Sequence, residues 1–300
     1  MSETETVSRS RRSRLRSLSP GRALTVAAGV LFWGWLVVRW LNDWGWIDAG
    51  ATEGEPFVDP AGLPESVALA VEFLPQMAGG VYLTVVLTVV SIVLGFFIAV
   101  PLSVARVYGR ASAYASLAFT ELIRGTPLLV QLFVLYYGIG LTGFIGDLPG
   151  VGEGIVPQEA VWVAIVGFTI NSAAYQAEYI RSALISVDER QLTAARSVGM
   201  SKVEGIRHVV LPQGLRYAIP GWTNELVYLI KYSSLAAFIT VPELFNEAQA
   251  IASNNFKYTA VFTLAGLLYL ALVVSAAKVM GAVERRVSIP GVGGVEGRQQ

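Results

Sequence analysis

The sequence predicts an all-α, polytopic membrane helix bundle of about six transmembrane helices, with a basic helix–turn–helix connector on one side of the membrane. Three observations carry that expectation. The 300 residues are 54% hydrophobic and only 15% charged, at a mean hydropathy of +0.55, whereas a soluble domain carries about 25% charged residues. The apolar residues gather in blocks long enough to cross a bilayer, which takes about 20 residues each. One long polar segment, Gln191 to Pro212, is set deep between such blocks. Composition also excludes function classes. There is no Cys, so no disulfide or thiolate chemistry. A single imidazole, His208, cannot build a His-rich metal site, and a net charge of zero gives no global field for nucleic acid.

The apolar blocks lie at about 23–41, 79–104, 119–141, 158–180, 217–240 and 258–280. Each is expected to be a helix, because lipid offers backbone groups no hydrogen-bonding partner. Ser10-Arg11-Arg12 ahead of the first block hints at a twin-arginine export signal, but Trp33, Trp35, Arg39 and Trp40 suit a retained span better than a cleavage site. Loop charges then set the orientation, since Lys and Arg stay cytoplasmic. Residues 1–22 carry Arg9, Arg11, Arg12, Arg14, Arg16 and Arg22, while Asp43, Asp48, Glu53, Glu55, Asp59, Glu65 and Glu72 fill the following loop with no base. The next turn has Arg106 and Arg110, and the loop at 142–158 has Asp147 and Glu153. The connector has Arg181, Arg190, Arg196, Lys202, Arg207 and Arg216, and Arg285 and Arg286 follow the last span. The alternation puts both termini and the connector in the cytoplasm of a multi-pass plasma-membrane protein. Arg39, near the outer end of the first span, is expected to snorkel. The expected organisation is a basic tail at 1–22, an additional N-terminal transmembrane helix at 23–41, an acidic external loop at 42–78, a transmembrane domain at 79–282 with its connector at about 188–212, and a disordered tail at 283–300. The basic tail either touches anionic lipid headgroups or serves only as a topology signal.

Polar residues inside spans need partners, because a charge at the bilayer centre costs about 2.5–3.5 kcal/mol on insertion scales. Thr84, Thr88, Ser91, Gly95 and Ala99 share one face of span two and read as a close-packing seam. Glu121 and Arg124 can pair across one turn, and Pro127 marks either a helix start or a break, with Gln131 beyond it. Asn171, Tyr175 and Glu178 form a stripe on span four, continued one turn on by Arg181, which can pair with Glu178. In span five, Asn224, Tyr228, Lys231 and Leu235 share one face, Glu225 and Tyr232 flank it, and Leu226, Ile230 and Ala237 lie opposite. That face should look at a cavity or another subunit. The Lys231 amine needs a carboxylate, either Glu225 or that of a bound solute.

The connector reads as a machine part. Asp188 to Val198 is rich in helix formers, and Gly199 breaks the pattern as a C′ glycine does. Ser201 and Glu204 have capping-box spacing at the start of a second short helix, which Val203, Ile206 and Val210 give an apolar stripe and Pro212 is expected to stop. Helices this short are not stable alone and call for a partner surface.

At this point the residues resemble a known family. Thr193-Ala194-Ala195 with Gly199 and Leu211-Pro212 is similar to the coupling loop of ABC-transporter membrane subunits, with Thr193 where the family has Glu. Arg124-Gly-Thr-Pro-Leu-Leu-Val-Gln131, Asn171-Ser-Ala-Ala-Tyr175 with Glu178 and Arg181, and Lys231-Tyr-Ser-Ser-Leu235 with Val241-Pro-Glu-Leu244 resemble the branch that takes up polar amino acids, with Tyr232 in place of the family's Asp. The resemblance covers roughly 79–280 and leaves span one additional to a five-helix core. It implies a type I importer permease fold and an import role for polar or charged amino acids. The implied partners are a second permease subunit, identical or related, a cytosolic ATP-binding subunit and an extracytoplasmic solute-binding protein. It further implies a substrate path with Asn171, Tyr175, Asn224, Glu225, Tyr228 and Lys231 as candidates, and ATPase coupling through Ala194, Ala195, Arg196, Gly199, Val203 and Ile206. No Gly-x4-Gly-Lys-Ser/Thr phosphate loop occurs, so ATP hydrolysis is expected on the partner, and no cofactor or metal is expected. The alternative is an ion-coupled secondary transporter of small solutes using Glu225, Lys231 and Glu178, which the lack of an inverted repeat disfavours. A membrane enzyme would need a nucleophile or metal set that the sequence does not present.

Overall fold

The computed structural model describes residues 20–152 and 156–287. Most of the basic tail (1–19), Glu153 in the loop at 142–158, and 288–300 of the C-terminal tail lie outside the described residues. The chain divides into two compact units at Thr52.

The first unit contains helix α1, Pro20–Asp43. Arg39 does not snorkel as expected. Its guanidinium is buried, paired with Asp43 at 2.7 Å and donating to the Thr52 carbonyl at 2.9 Å. A carboxylate one turn on and an orphan carbonyl are closer than water, so the charge is neutralised in place. Asn42 holds the same loop, accepting from the Ala49 N–H and donating to the Ala51 carbonyl.

The second unit is built on two long helices, α2 (Glu65–Tyr108) and α6 (Glu159–Ile185). Between them run α3 (Ala111–Arg124), α4 (Leu128–Phe133) with a π-type turn at Val134–Gly138, and α5 (Leu141–Gly146). The connector holds α7 (Glu189–Ser197) and α8 (Lys202–Gly205). A π-type turn, Ile206–Val210, leads into α9 (Leu211–Tyr232) and a tight 3-10 segment, Ser233–Ile239. Then come α10 (Leu244–Asn255) and α11 (Tyr258–Val287).

Helix boundaries differ from expectation in four places. Span two starts at Glu65 rather than 79, so part of the stretch read as external loop is helical. Phe73, Met77 and Ala78 are buried there, and the apolar face outweighs the acids. The span expected at 119–141 is two pieces meeting at 99°, the broken form that Pro127 left open. Gly125-Thr-Pro127 breaks it, because Pro127 lacks an N–H and adopts extended ψ as the N-cap of α4. Pro212 does not stop the second connector helix. Val210 and Leu211 keep helical dihedrals, and the π-type turn just before Pro212 shifts the hydrogen-bond register, so the missing N–H sits at a helix start. Finally, among the described residues four helices are long and apolar enough to cross a membrane, or five with the bent pair counted as one, and α9 is not among them. Its polar face lowers its hydropathy below a lipid-facing span.

The seam read on span two is where α2 meets α6. Thr84, Thr88, Ser91, Gly95 and Ala99 are all buried, and Ser103 extends the row. Ser91 Oγ donates to the Ile165 carbonyl at 3.3 Å, Ser103 Oγ to the Ala177 carbonyl at 3.0 Å, and Gln176 Nε2 to the Ile92 carbonyl at 3.0 Å. Such bonds contribute only about 0.6 kcal/mol each on average in membranes, so close backbone approach does more to hold the two helices together. At the other end α10 lies on α2: a Cβ added to Gly80 would stand 2.8 Å from Leu244 Cα and 2.9 Å from Leu244 N. Glu243, fully buried, caps α10 by accepting from the Phe245 and Asn246 N–H groups and from the Tyr269 hydroxyl.

Gly80→Ala forces backbone apart and is expected to destabilise by about 1–3 kcal/mol, read as a lower thermal midpoint in detergent. Gly79→Ala, whose Cβ meets open space, is expected to leave that midpoint unchanged or raised. Equal midpoints for the two variants would refute the close approach as the reason for glycine at this position.

Candidate functional site

Helix α9 has two unlike sides. Asn224, Tyr228, Lys231 and Tyr232 are exposed, while Glu225, Leu229 and Ile230 are buried. Tyr228 and Tyr232 stack with ring centroids 5.9 Å apart, and the Lys231 ammonium sits 4.7 Å from the Tyr228 centroid. Of the two carboxylates weighed for Lys231, Glu225 does not reach it. Six residues place the two side chains about 120° apart around the axis. Glu225, 4% exposed, turns inward to a hydrogen bond with Ser172 of α6. Gln176 donates to the same Ser172 at 2.9 Å, so the group links α2, α6 and α9. Lys231 is left with aromatic faces and no carboxylate within ion-pair distance among the described residues. Facing lipid, that charge would cost about 2.5–3.5 kcal/mol, so the face calls for water, a solute or another subunit.

The stripe on α6 meets the break between α3 and α4. Asn171 donates to Gln131 Oε1 at 3.0 Å, and Gln131 Nε2 donates to the Ile123 carbonyl at 2.7 Å and to Thr126 Oγ1 at 2.9 Å. Gln131 thus satisfies the carbonyls that the break orphans. Asn171 is buried and engaged here, which makes it part of the elbow rather than of an open face. The Arg124 guanidinium lies over the Tyr175 ring, 5.5 Å from its centroid, and reaches Glu121 at 3.7 Å and Glu178 at 3.9 Å. Arg181 holds Glu178 through two nitrogens, as the i, i+3 spacing suggested. Tyr179, not singled out from the sequence, packs its ring against α9 at Gly221. Gly221 gives it room, since a Cβ there would stand 2.9 Å from the Tyr179 ring.

In the connector, Gly199 takes φ +92°, and the Met200 N–H donates to the Ala195 carbonyl, closing α7 as a glycine C′ does. The capping box is complete: the Ser201 N–H donates to Glu204 Oε2 at 2.8 Å, and the Glu204 N–H donates to Ser201 Oγ at 3.3 Å. The apolar stripe divides. Ile206 (8% exposed), Val210 and Ala195 are buried, Ala195 against Gly205 of α8, while Val203 (72% exposed), Ala194, Arg196 and Gly199 are exposed. Val198 (78% exposed) and Met200 join Val203. Their place beside the glycine turn is the signal that could have found them. Lys202 Nζ donates to the Tyr108 carbonyl at 3.1 Å, placing a cation on the C-terminus of α2. No group of His, Asp and Glu among the described residues could hold a metal ion.

Residues 91–289 match the family described as binding-protein-dependent transport system inner membrane component. The chain is 38% identical over 219 residues to the probable amino-acid ABC transporter permease protein YckA of Bacillus subtilis, covering 73% of this chain and 92% of the relative. It is 37% identical over 205 residues to the nopaline transport system permease protein NocM of Agrobacterium fabrum, covering 68% and 84%. Among solved structures, it resembles the crystal structure of an amino acid ABC transporter with histidines, at TM-score 0.60 and 28% identity over 71% of this chain and 94% of that one.

The Ser201 N–H, donating to Glu204, holds that carboxyl below the usual carboxylate range. A depressed folded-state value means the cap contributes fully above the unfolded value and is lost as pH falls through the folded one. Hydrogen-exchange protection of the Glu204 and Gly205 amides is therefore expected to be constant near neutral pH and to fall in acid, and Ser201→Ala should lower it at neutral pH. Protection unaffected by either change would remove the capping box from the connector's stability.

Proposed function

Because this chain belongs to the family of binding-protein-dependent transport system inner membrane components, we propose that it is the permease subunit of an ATP-driven importer of polar or charged amino acids. Two such subunits, this chain twice or with a close relative, enclose the path. The exposed side of α9, with Asn224, Tyr228 and Lys231, lines it; Tyr175 borders it beside Arg124; and Glu225 and Asn171 hold its walls. An extracytoplasmic binding protein delivers the solute, and a cytosolic ATPase supplies the work. Both termini and the connector lie in the cytoplasm.

The observation that supports this reading above others is the two-sided connector. Its inner side, Ala195, Ile206 and Val210, is buried, Val210 among core residues of α2 and α6, and its outer side presents Val198, Met200 and Val203 to solvent. Exposed apolar groups on a short helix pair are unfavourable in water and suit a partner's surface. Closure of the ATPase around ATP would push α7 and α8. Lys202, anchored on the end of α2, and the unbroken helical run from α8 into α9 would carry that displacement to the path. ATP must bind the two states with different affinity for this to drive transport.

Replacing Val203 by Asp is expected to abolish co-purification of the ATPase, and Gly199→Pro to leave ATP hydrolysis running without uptake, while both variants still insert in the membrane. Normal coupled uptake by both would sink the docking assignment. A chain that retains no ATP-binding subunit while folded would return Glu225 and Lys231 to the ion-coupled alternative.

A further inference from the structure

We infer that the groove between the 3-10 segment and α10 is where this chain meets a second copy of itself, at the extracytoplasmic end of the path. The inference rests on the reading that two permease subunits enclose the path, and it narrows the second subunit to an identical one.

The groove has a volume of about 350 Å³. Phe238 and Phe245 wall it, Asn246 and Gln249 supply amides, and Ala250 and Ser253 leave it open. α9 passes without a break into the 3-10 segment, so the groove stands beyond the end of the helix whose open side carries Lys231. With the connector in the cytoplasm, that end is extracytoplasmic. Thr240 then turns the chain at φ +65°, a conformation a β-branched residue rarely adopts. Its hydroxyl shares a hydrogen bond of 3.2 Å with that of Tyr136. Glu243 caps α10 from a fully buried position, and Phe262 braces Phe245 with ring centroids 5.6 Å apart. These contacts give the groove a fixed shape.

Two observations select a second copy as the occupant. The first is charge. Where identical chains meet about a two-fold axis, a residue near the axis faces its own copy, so an acid or a base there repels itself. The stretches before α2 and after α5 expose Glu53, Glu55, Asp59, Glu65 and Asp147. The exposed side of α10 is Gln249, Ala250, Ser253 and Asn254, without a charge. The one charged residue between Leu244 and Asn255 is Glu247, which lies against α2: its Cγ would stand 2.9 Å from a Cβ added to Gly80. An amide, unlike a carboxylate, both donates and accepts, so Asn246 and Gln249 can each bond to the same residue of another copy. The second observation is shape. Phe238, on the 3-10 side, is 54% exposed, while Ala250 and Ser253, on the α10 side, are small. A projecting ring beside a recess in the same chain is the self-matching pair that a two-fold contact requires, the ring of each copy entering the recess of the other.

The test is disulfide formation between identical positions. The chain has no cysteine, so Ala250→Cys and Ser253→Cys are each introduced alone in the full chain, expressed with its ATPase, and oxidised with copper phenanthroline in native membranes. A disulfide needs Cβ atoms about 4 Å apart, so the cross-linked dimer is expected at one or both positions, at a yield at least about fivefold above that of Val58→Cys. Val58 is 62% exposed in the stretch before α2 and serves as the control for chance collision. Adding Ser253→Glu is expected to bring the Ala250→Cys yield down to the control level, and Ser253→Gln to retain most of it. A yield no higher than the control in a complex that keeps its ATPase, a cross-link only to a polypeptide of different mass, or a yield that Ser253→Glu leaves unchanged would overturn the second-copy assignment and leave the permease reading standing. A chain that cross-links to itself at these positions yet retains no ATPase would support the interface and count against the importer.

Discussion

A membrane interior gives polar groups nothing to bond to, so two long helices lie together there most readily where their backbones come close and their facing hydroxyls find partners on the chain. The α2–α6 seam meets that constraint. Along the row from Thr84 to Ser103, the Thr88, Ser91 and Ser103 hydroxyls donate to carbonyls of the same helix or of α6, and the Thr84 hydroxyl accepts from the Leu244 N–H. With that contact made, α6 is almost wholly enclosed and can present Asn171 and Ser172 at fixed positions. Asn171 secures the elbow through Gln131, and Ser172 receives Glu225 and thereby sets the rotation of α9. The side of α9 turned away from Ser172 is then the one that carries Lys231.

The connector and the proposed path are joined by the chain itself. α8, the π-type turn and α9 form one helical run from Lys202 to Tyr232, the continuity on which the proposed transmission from the connector to Asn224 and Tyr228 relies. The Lys202 contact to the last carbonyl of α2 adds a second route into the seam. A cavity of about 350 Å³ between α7 and the ends of α2 and α6 leaves the connector room to move against them. Outward apolar groups at its tip and inward ones at its base are what a transmitted displacement requires.

Much of this was legible in the residues. The small-residue spacing from Thr84 to Ala99, the i, i+3 pair Glu178–Arg181, Gly199 as a C′ residue and the Ser201–Glu204 box are local patterns, and local patterns are read off directly. What was not legible depended on distant partners or on chain register. Glu225 and Lys231 are near in sequence, but Ser172 decides which way Glu225 turns. Arg39 found Thr52 across a loop. Pro212 looked like a stop, because a one-residue register shift in the preceding turn leaves no mark in the sequence. Gln131, a polar residue in an apolar stretch, gave no sign that it would mend the break at Pro127 four residues earlier. Span two began early because the acids at its start could not outweigh its buried Phe73 and Met77.

The central claim is that one side of α9 faces a water-filled path and the other faces the bundle. The chain has no cysteine, so single cysteines at 224, 228 and 231, and at 225, 229 and 230, can each be tested with a small charged thiol reagent in native membranes. The account predicts fast labelling at the first three positions, slowed by substrate, and little at the second three. Equal labelling on both sides, or none at 228 and 231 with the chain assembled, would contradict it.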